Sequence, residues 1–189
     1  KILLESGARV IAIEKDRELI PILHEEFRHE IAQGTFTLIE ADILELQIET
    51  VIPRGLPYKI VANIPYYITG HFLRRYLSQI KQPQSLTLLV QKEVAERIVS
   101  QDKKASLLSL SVQAYGRAKL VRVIRKSAFA PEPKVDSAIL HIDIEGRNFD
   151  SFLHEESFFS LIHSGFAHKR KQLASNLKQS HSKIPWTDI

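Results

Sequence analysis

Cysteine is absent from the 189-residue chain, and so are long apolar runs. Without cysteine there can be no disulfide, no thiolate metal site and no cysteine nucleophile. The eight histidines form no ligand-spaced cluster such as HExxH, so we expect no metal cofactor. No apolar run approaches the ~18 residues of a membrane span, and no secretory leader pattern opens the chain. We therefore expect a cytoplasmic protein without a membrane partner.

The charge balance is mildly basic, with 26 lysines and arginines against 22 acidic residues and a net charge of +4. Such an excess suits a polyanionic partner without requiring one. The first fifty residues are rich in glutamate, whereas basic clusters occur later, at 122–126 and 169–171. A single basic cluster is as often a solvated surface as a binding surface. The nearness of these clusters to the candidate site residues favours binding.

Apolar runs alternate with helical patterns along most of the chain. Four short runs are typical of buried parallel strands: residues 9–14, 36–40, 59–62 and 84–91. Helical spacing predicts helices over four further segments: residues 17–31 (capped by Asp16), 71–80, 92–100 and 107–115. Residues 119–125 and 135–144 alternate apolar with polar or basic side chains, which indicates an antiparallel pair at a sheet edge. The pattern predicts an α/β fold with a doubly wound, mostly parallel sheet.

The character of the sequence changes after residue 146. Phenylalanines and leucines recur there at helical spacing, which predicts two helices and no strand. We therefore predict two domains, an α/β domain over 1–146 and a small helical domain over 147–189.

Polar residues follow three successive predicted strands, namely Glu14, Asp42 and Asn63. Ligands of open α/β sheets bind outside the carboxyl ends of the strands. A carboxylate such as Glu14 can accept two ribose hydroxyls, and Asp42 could accept from an adenine amine while Ile43 packs on the ring. One acid at a strand end is most often a cap or solvated. Three polar residues in order at successive strand ends favour a nucleotide site.

The segment 63–66 has the chemistry needed to activate an adenine amine. That amine is a poor nucleophile because its lone pair is delocalised into the ring. The Asn63 side-chain carbonyl and a backbone carbonyl, of Ile64 or Pro65, could accept its two N–H bonds and turn the lone pair toward an electrophilic methyl group. Tyr66 can stack on the base, and Phe129, in a proline-braced loop, is the candidate for the opposite face. The alternative is a strand-end turn whose aromatic side chains belong to the core.

Together these segments resemble the ribosomal RNA adenine dimethyltransferases, most closely the small-subunit, KsgA-type branch, to which the erythromycin-resistance methylases are related. The resemblance covers nearly the whole chain. It is carried by five segments: residues 10–16, 41–44, 63–66, 129–138 and 166–173.

The resemblance implies a Rossmann-like methyltransferase domain over 1–146 and an rRNA-binding helical domain over 147–189. It implies S-adenosylmethionine as donor and dimethylation of two adjacent adenines in small-subunit rRNA, linked to maturation of the small ribosomal subunit. Glu14 matches the acid that binds the donor's ribose. Asp42 matches the acid that binds the donor's adenine, and Ile43 follows it in the same site. Asn63 and Tyr66, on either side of Pro65, match the motif that holds the target amine, and Asn63 is also expected near the donor. Phe129 matches the aromatic residue that stacks on the target base. No general base is needed, because the product ammonium is acidic enough to lose its proton to water.

We expect a monomer whose partners are small-subunit rRNA and the immature small ribosomal subunit. Its phosphate contacts are expected from six basic residues: Arg74, Arg75, Lys134, Lys169, Arg170 and Lys171.

The sequence departs from the family pattern at both ends. The first strand and its Gly-rich donor loop would precede Lys1, no GxGxG occurs in the chain, and the helical domain looks short. We therefore interpret the chain as a fragment and expect it to bind S-adenosylmethionine weakly or not at all. Two other functions stay open. One is methylation of DNA adenine, against which the proline loop and the basic C-terminal helix argue, and the other is a non-catalytic RNA-binding assembly factor on a methyltransferase fold.

Overall fold

The structure, a computed structural model, describes residues 1–100, 106–146, 149–168 and 173–180. The chain forms two compact units, residues 1–54 and 55–189. None of the helices in the described ranges combines the length and the hydropathy that a membrane span requires.

The first unit is built on a two-stranded parallel sheet. Strand β1 (Val10–Glu14) pairs with β2 (Phe36–Glu40) without interruption, from Val10 opposite Phe36 to Glu14 opposite Glu40. Both strands therefore end at the same edge, as the apolar runs predicted. Four helices belong to this unit: α1 (Ile2–Glu5), α2 (Leu19–Glu26), α3 (Arg28–Ala32) and α4 (Ile48–Val51).

The single helix predicted over 17–31 is wrong, because α2 and α3 are separate helices that meet at Phe27. Phe27 is 9% exposed and stacks on Phe36 with the ring centroids 4.4 Å apart. The bonds from Phe27 N to Leu23 O and from Ile31 N to Phe27 O keep the backbone paired on both sides of Phe27, whose φ of −111° and ψ of 21° depart from helical values. Asp16 does not cap α2 itself, since its Oδ1 accepts from Glu18 N, at 2.9 Å, in the turn before the helix.

The second unit contains a four-stranded mixed sheet in the order β3-β4-β6-β5. Its strands are β3 (Lys59–Asn63), β4 (Ser85–Gln91), β5 (Gly116–Ile124) and β6 (Ser137–Ile144). β3 and β4 are parallel, whereas β6 is antiparallel to both β4 and β5. The predicted antiparallel pair is confirmed, and β5 is an edge strand of this sheet.

Helices of the second unit pack on the sheet and on one another, and the central strands β4 and β6 bury alternate residues along most of their length. The helices are α5 (Thr69–Ser78), α6 (Lys92–Val99), α7 (Leu107–Gln113), α8 (Phe152–Gly165) and α9 (Leu173–Ser180). α5 and α6 both pack on α7, and α8 contacts α7 and α9. The largest fully buried side chains include Phe72, Tyr76, Leu86, Leu88, Leu140 and Ile142. This core holds the ends of β3 and β6 in place.

Strand β3 is less buried than its apolar run predicted. Its residues alternate between exposed and half-buried, and Val61 is 60% exposed. The reason is its place at an edge of the four-stranded sheet, where β4 is the only strand of the described residues that is paired with it.

Beyond residue 146, the described segments 149–168 and 173–180 contain α8 and α9 and no strand. Ser151 begins α8 as an N-cap, because its side chain accepts from His154 N. The domain boundary expected at residue 146 stays a prediction.

Candidate functional site

Two acidic side chains lie at neighbouring strand ends in the first unit. Glu14 is the last residue of β1, and Asp42 follows the end of β2 by two positions. Ala41 N donates to the Glu14 carbonyl at 3.0 Å, and Lys15 Nζ lies 2.7 Å from Asp42 Oδ2. The parallel pairing therefore brings these two residues together, as expected from their positions after successive strands.

The Glu14 carboxylate is held by the turn that follows β1. Its Oε1 accepts from the backbone N–H groups of Lys15 and Asp16, each at 2.8 Å. These bonds fix the orientation of the carboxylate without using Oε2. An oriented acceptor at a strand end suits a pair of hydroxyl donors.

The Asp42 carboxylate is held from both sides. Oδ2 pairs with Lys15 Nζ, and Oδ1 accepts from Leu44 N at 2.8 Å. The Lys15 ammonium and, after it, the Leu44 N–H lower the pKa of Asp42 below its usual value. Because an ionised carboxylate offers about four lone-pair sites, it can still accept from a ligand amine beside these partners. Ile43, half-buried, lies next to it in the chain.

In the second unit, a turn connects β3 to α5. Asn63 ends β3 with an exposed side chain, Ile64 is buried, and Pro65 has φ −55° and ψ 135°. Tyr66 then opens a 3-10 turn in which Ile68 N donates to Pro65 O at 3.1 Å. The turn places an amide side chain and an aromatic ring within four residues at the carboxyl end of a parallel strand.

Tyr66 contacts a residue that the sequence did not single out. Its hydroxyl oxygen lies 2.5 Å from Ser137 Oγ, across a sequence separation of 71 residues. Ser137 is the first residue of β6 and is fully buried. The one sequence signal was its presence at the end of the segment 129–138 on which the family resemblance partly rests.

Phe129 lies in a loop that leads into Ser137. The loop is closed by Lys126 N, which donates to Asp136 Oδ1 at 3.0 Å, and by a 2.9 Å ion pair between Lys126 and Glu132. Phe129, half-buried, follows a 3-10 turn and donates its N–H to Lys126 O. The proline-braced loop expected from the sequence is thus a closed structure, tied to the Asn63 turn through Ser137.

The predicted RNA contacts differ in their exposure. Arg74 on α5 and Lys134 in the loop are exposed, whereas Arg75 is half-buried and its Nε lies in the interior. Three of the predicted contacts, Lys169, Arg170 and Lys171, lie outside the described residues. Among the described residues, no group of three or more histidine, aspartate or glutamate side chains is arranged to hold a metal ion.

Comparison with known proteins places these residues in one family. The family model described as "Ribosomal RNA adenine dimethylase" matches residues 1–185. Ribosomal RNA small subunit methyltransferase A of Dehalococcoides mccartyi is 42% identical over 177 residues, which are 94% of this chain and 60% of the relative. The enzyme of the same name from Lactococcus lactis is 40% identical over 188 residues, with 96% and 63% covered. The chain thus spans about three fifths of the length of these curated relatives.

Solved structures agree on the fold. A dimethyladenosine transferase from Plasmodium falciparum superposes with a TM-score of 0.69 at 26% identity, covering 90% of this chain and 59% of that one. The 23S rRNA methyltransferase ErmE gives a TM-score of 0.70 at 22% identity over 90% and 66% of the two chains, a likeness of fold alone. The predicted α/β methyltransferase fold is confirmed.

Proposed function

The chain belongs to the ribosomal RNA adenine dimethylase family, and on that premise we propose that it serves the S-adenosylmethionine-dependent dimethylation of two adjacent adenines in small-subunit rRNA. The observation that carries the proposal is the linked pair of segments in the second unit. The Asn63 turn and the Phe129 loop are joined by the hydrogen bond between Tyr66 and Ser137. An amide acceptor beside a tethered tyrosine ring, with a second aromatic residue on the loop linked to them, suits a base that has been taken out of its stack.

In this proposal, Asn63 Oδ1 accepts one N–H of the target amine and a backbone carbonyl accepts the other. The sequence left Ile64 and Pro65 open as the source of that carbonyl. Pro65 O already accepts from Ile68 N, which favours Ile64 O as the second acceptor. Two acceptors in fixed positions draw the amine out of conjugation, so that its lone pair becomes available for methyl transfer.

Tyr66 and Phe129 hold the ring of the adenine between them. Stacking of a base on an aromatic side chain contributes about 1–3 kcal/mol, comparable to the cost of unstacking the base. No side chain is required as a general base, because the methylated ammonium releases its proton to water. The same contacts can hold the amine for a second methyl transfer, since a monomethylated amine keeps one N–H for an acceptor.

The donor is proposed to lie on the first unit's strand ends. S-adenosylmethionine supplies an electrophilic methyl group when it is bound. Glu14 Oε2 fits the ribose hydroxyls, and the Asp42 carboxylate, with Ile43 beside it, fits the adenine. The fit rests on the orientation of the two carboxylates, which hydrogen bonds of 2.7 to 2.8 Å from backbone N–H groups and the Lys15 ammonium already fix.

The partners are proposed to be small-subunit rRNA and the immature small ribosomal subunit, bound by a monomer in the cytoplasm. Arg74 and Lys134 are exposed cations suited to phosphates, and Arg75 can contribute only through its outer part. The basic segment 169–171 supports the proposal by its sequence. Phosphate contacts of this kind position an RNA without reading its bases.

Methylation assays on the full-length protein test the proposal. Labelled methyl transfer from S-adenosylmethionine should occur on unmodified small ribosomal subunits and not on duplex DNA. Asn63→Ala should lower kcat by about 100-fold or more, because it removes a hydrogen bond made to the reacting amine. Tyr67→Ala is the matched control, since Tyr67 is the next aromatic residue in the same turn and is 89% exposed.

Three results would contradict the proposal. Transfer to duplex DNA in preference to ribosomal subunits would favour the DNA alternative. Tight subunit binding without methyl transfer would favour an assembly factor. Full activity of Asn63→Ala would remove Asn63 from the reaction.

A further inference from the structure

Ser137 lies in a position where its hydroxyl cannot move freely. It is the first residue of β6, paired with Gln91 of β4 on one side and with Ile124 of β5 on the other. Its side chain is 0% exposed. A hydroxyl buried this completely needs a hydrogen-bond partner, because leaving it unpaired costs free energy. The Tyr66 hydroxyl, 2.5 Å away, is that partner.

The backbone on the N-terminal side of Ser137 is equally fixed. Asp136 O accepts from Lys92 N at 3.0 Å, where β4 passes into α6. Asp136 Oδ1 accepts from Lys126 N, which closes the Phe129 loop. Ser137 is therefore an anchor, because its strand β6 is paired with two others, β4 and β5, and the closed Phe129 loop leads into it.

Tyr66 needs such an anchor if its ring is to hold a base. It belongs to a 3-10 turn of three residues, and a tyrosine side chain on a short turn can adopt several rotamers. The adjacent Tyr67 is 89% exposed, whereas Tyr66 is half-buried. A bond at the hydroxyl fixes the far end of the Tyr66 ring and leaves the ring faces available for stacking.

We propose that Ser137 is a positioning residue for the target base: its hydroxyl orients the Tyr66 ring and ties the Asn63 turn to the loop that carries Phe129. The inference rests on the proposed function for its substrate and on the hydrogen bond for its geometry. Ser137 acts through Tyr66 and does not touch the reacting atoms. A purely structural serine would stabilise the start of β6 without affecting how the base is held.

A double-mutant cycle in the full-length protein separates the two roles. Ser137→Ala, Tyr66→Phe and the double variant are compared for kcat and KM on unmodified small-subunit RNA. Each single change should lower kcat/KM by roughly 3- to 10-fold, the effect of losing one neutral hydrogen bond. The double variant should be no slower than the slower single variant, because both changes delete the same bond. The KM for S-adenosylmethionine should stay within about twofold, since this bond lies on the target side.

Two matched controls accompany the cycle. Ser85→Ala removes a buried serine hydroxyl from β4, at the other end of the β4–β6 ladder, where Ser85 is opposite Asp143. Tyr67→Phe removes a tyrosine hydroxyl from the same turn as Tyr66. Both controls should leave kcat/KM unchanged. Additive effects of Ser137→Ala and Tyr66→Phe, or a Ser137→Ala variant as fast as the wild type, would overturn the inference.

A spectroscopic measurement decides the geometry without any methylation. In protein with ¹³C-labelled tyrosine and no RNA, Ser137→Ala should shift and broaden the Tyr66 ring resonances while those of Tyr67 stay in place. Unchanged Tyr66 resonances would overturn the inference even in an active enzyme. A wild-type protein that methylates no RNA would instead refute the proposed function.

RNA carrying 2-aminopurine at the target position reports base stacking directly, even if no methylation occurs. Equal fluorescence quenching by the wild type and by Ser137→Ala would overturn the positioning role.

Discussion

At the scale of single residues, Asp42 shows how neighbours set the state of a candidate ligand. Its carboxylate is paired with Lys15 Nζ at 2.7 Å and accepts from Leu44 N at 2.8 Å. Both donors favour the charged form, so the pKa of Asp42 is lowered. The stabilisation from the charged form is present above the usual carboxyl pKa and is lost as the pH falls through the lowered pKa of the folded state.

Lys15→Gln should therefore raise the pKa of Asp42 toward its usual value, because the larger of the two causes is removed. The stabilisation would then disappear at a higher pH than in the wild type. Carboxyl ¹³C chemical shifts followed through an acid titration measure this directly. Lys1→Gln is the matched control, since Lys1 Nζ pairs with Glu26 at 2.8 Å. An Asp42 titration that is the same in Lys15→Gln and the wild type would contradict the assignment.

Residue types in the sequence predicted part of the candidate site. Glu14 and Asp42 could be placed together because parallel strands end at one edge, which is a local consequence of the apolar runs. Ser137 could not be found in this way. A serine at the start of a strand looks the same whether it faces solvent or a distant tyrosine, and its partner Tyr66 is 71 residues away.

At the scale of elements, the β5–β6 ladder leaves no room for a side chain at Gly116. A Cβ placed on this glycine would lie 2.2 Å from the Asp143 carbonyl oxygen. Such a distance is far inside van der Waals contact, so any side chain here must push the two strands apart. Gly116 is the first residue of β5 and pairs with Ile144 at the end of β6.

Gly116→Ala should therefore destabilise the second unit by about 1–3 kcal/mol, the usual cost of forcing extra volume into a packed site. Urea unfolding followed by circular dichroism measures the change. Gly70→Ala is the control, because a Cβ there would meet only Arg74 Nη1 at 4.0 Å and alanine favours the helix α5. Equal unfolding midpoints for the two variants would show that the strands can separate at no cost.

Element types were more predictable than element interruptions. The strands of both units lie within a few residues of the apolar runs that predicted them. The break between α2 and α3 was missed, because helical periodicity continues through Phe27, whose backbone leaves the helical region at φ −111° and ψ 21°. The exposure of Val61 was also missed, since an apolar run does not reveal how many neighbouring strands it has.

At the scale of the whole molecule, the order of strands depends on contacts between distant segments. The sequence indicated parallel strands followed by an antiparallel pair, and both are present. It did not indicate that β6 lies between β4 and β5. This insertion matters for the proposed site, because it brings the start of β6, with Ser137, beside the end of β4. Two sequence motifs that are far apart thereby share one end of the sheet.

The net charge of +4 and the proposed rRNA partner together predict, for the whole molecule, RNA binding that weakens with salt. Lys134 is exposed in the loop next to the proposed base site and is one of the expected phosphate contacts. Lys134→Gln should weaken binding of a small-subunit rRNA hairpin and of unrelated RNA by similar factors, because a phosphate contact carries no base information. The slope of log K against log salt should become shallower by about 0.7–0.9.

Fluorescence anisotropy titrations between about 50 and 200 mM salt measure this slope. Lys119→Gln is the matched control, because it removes the same charge from β5 at a residue that already pairs with a protein carboxylate, Asp143, at 3.4 Å. If Lys134 contacts a phosphate, its variant alone changes the slope, while both variants lower the long-range attraction equally. Identical slopes for the two variants would mean that Lys134 adds only to the net charge, and Lys134 would have to be removed from the proposed phosphate contacts.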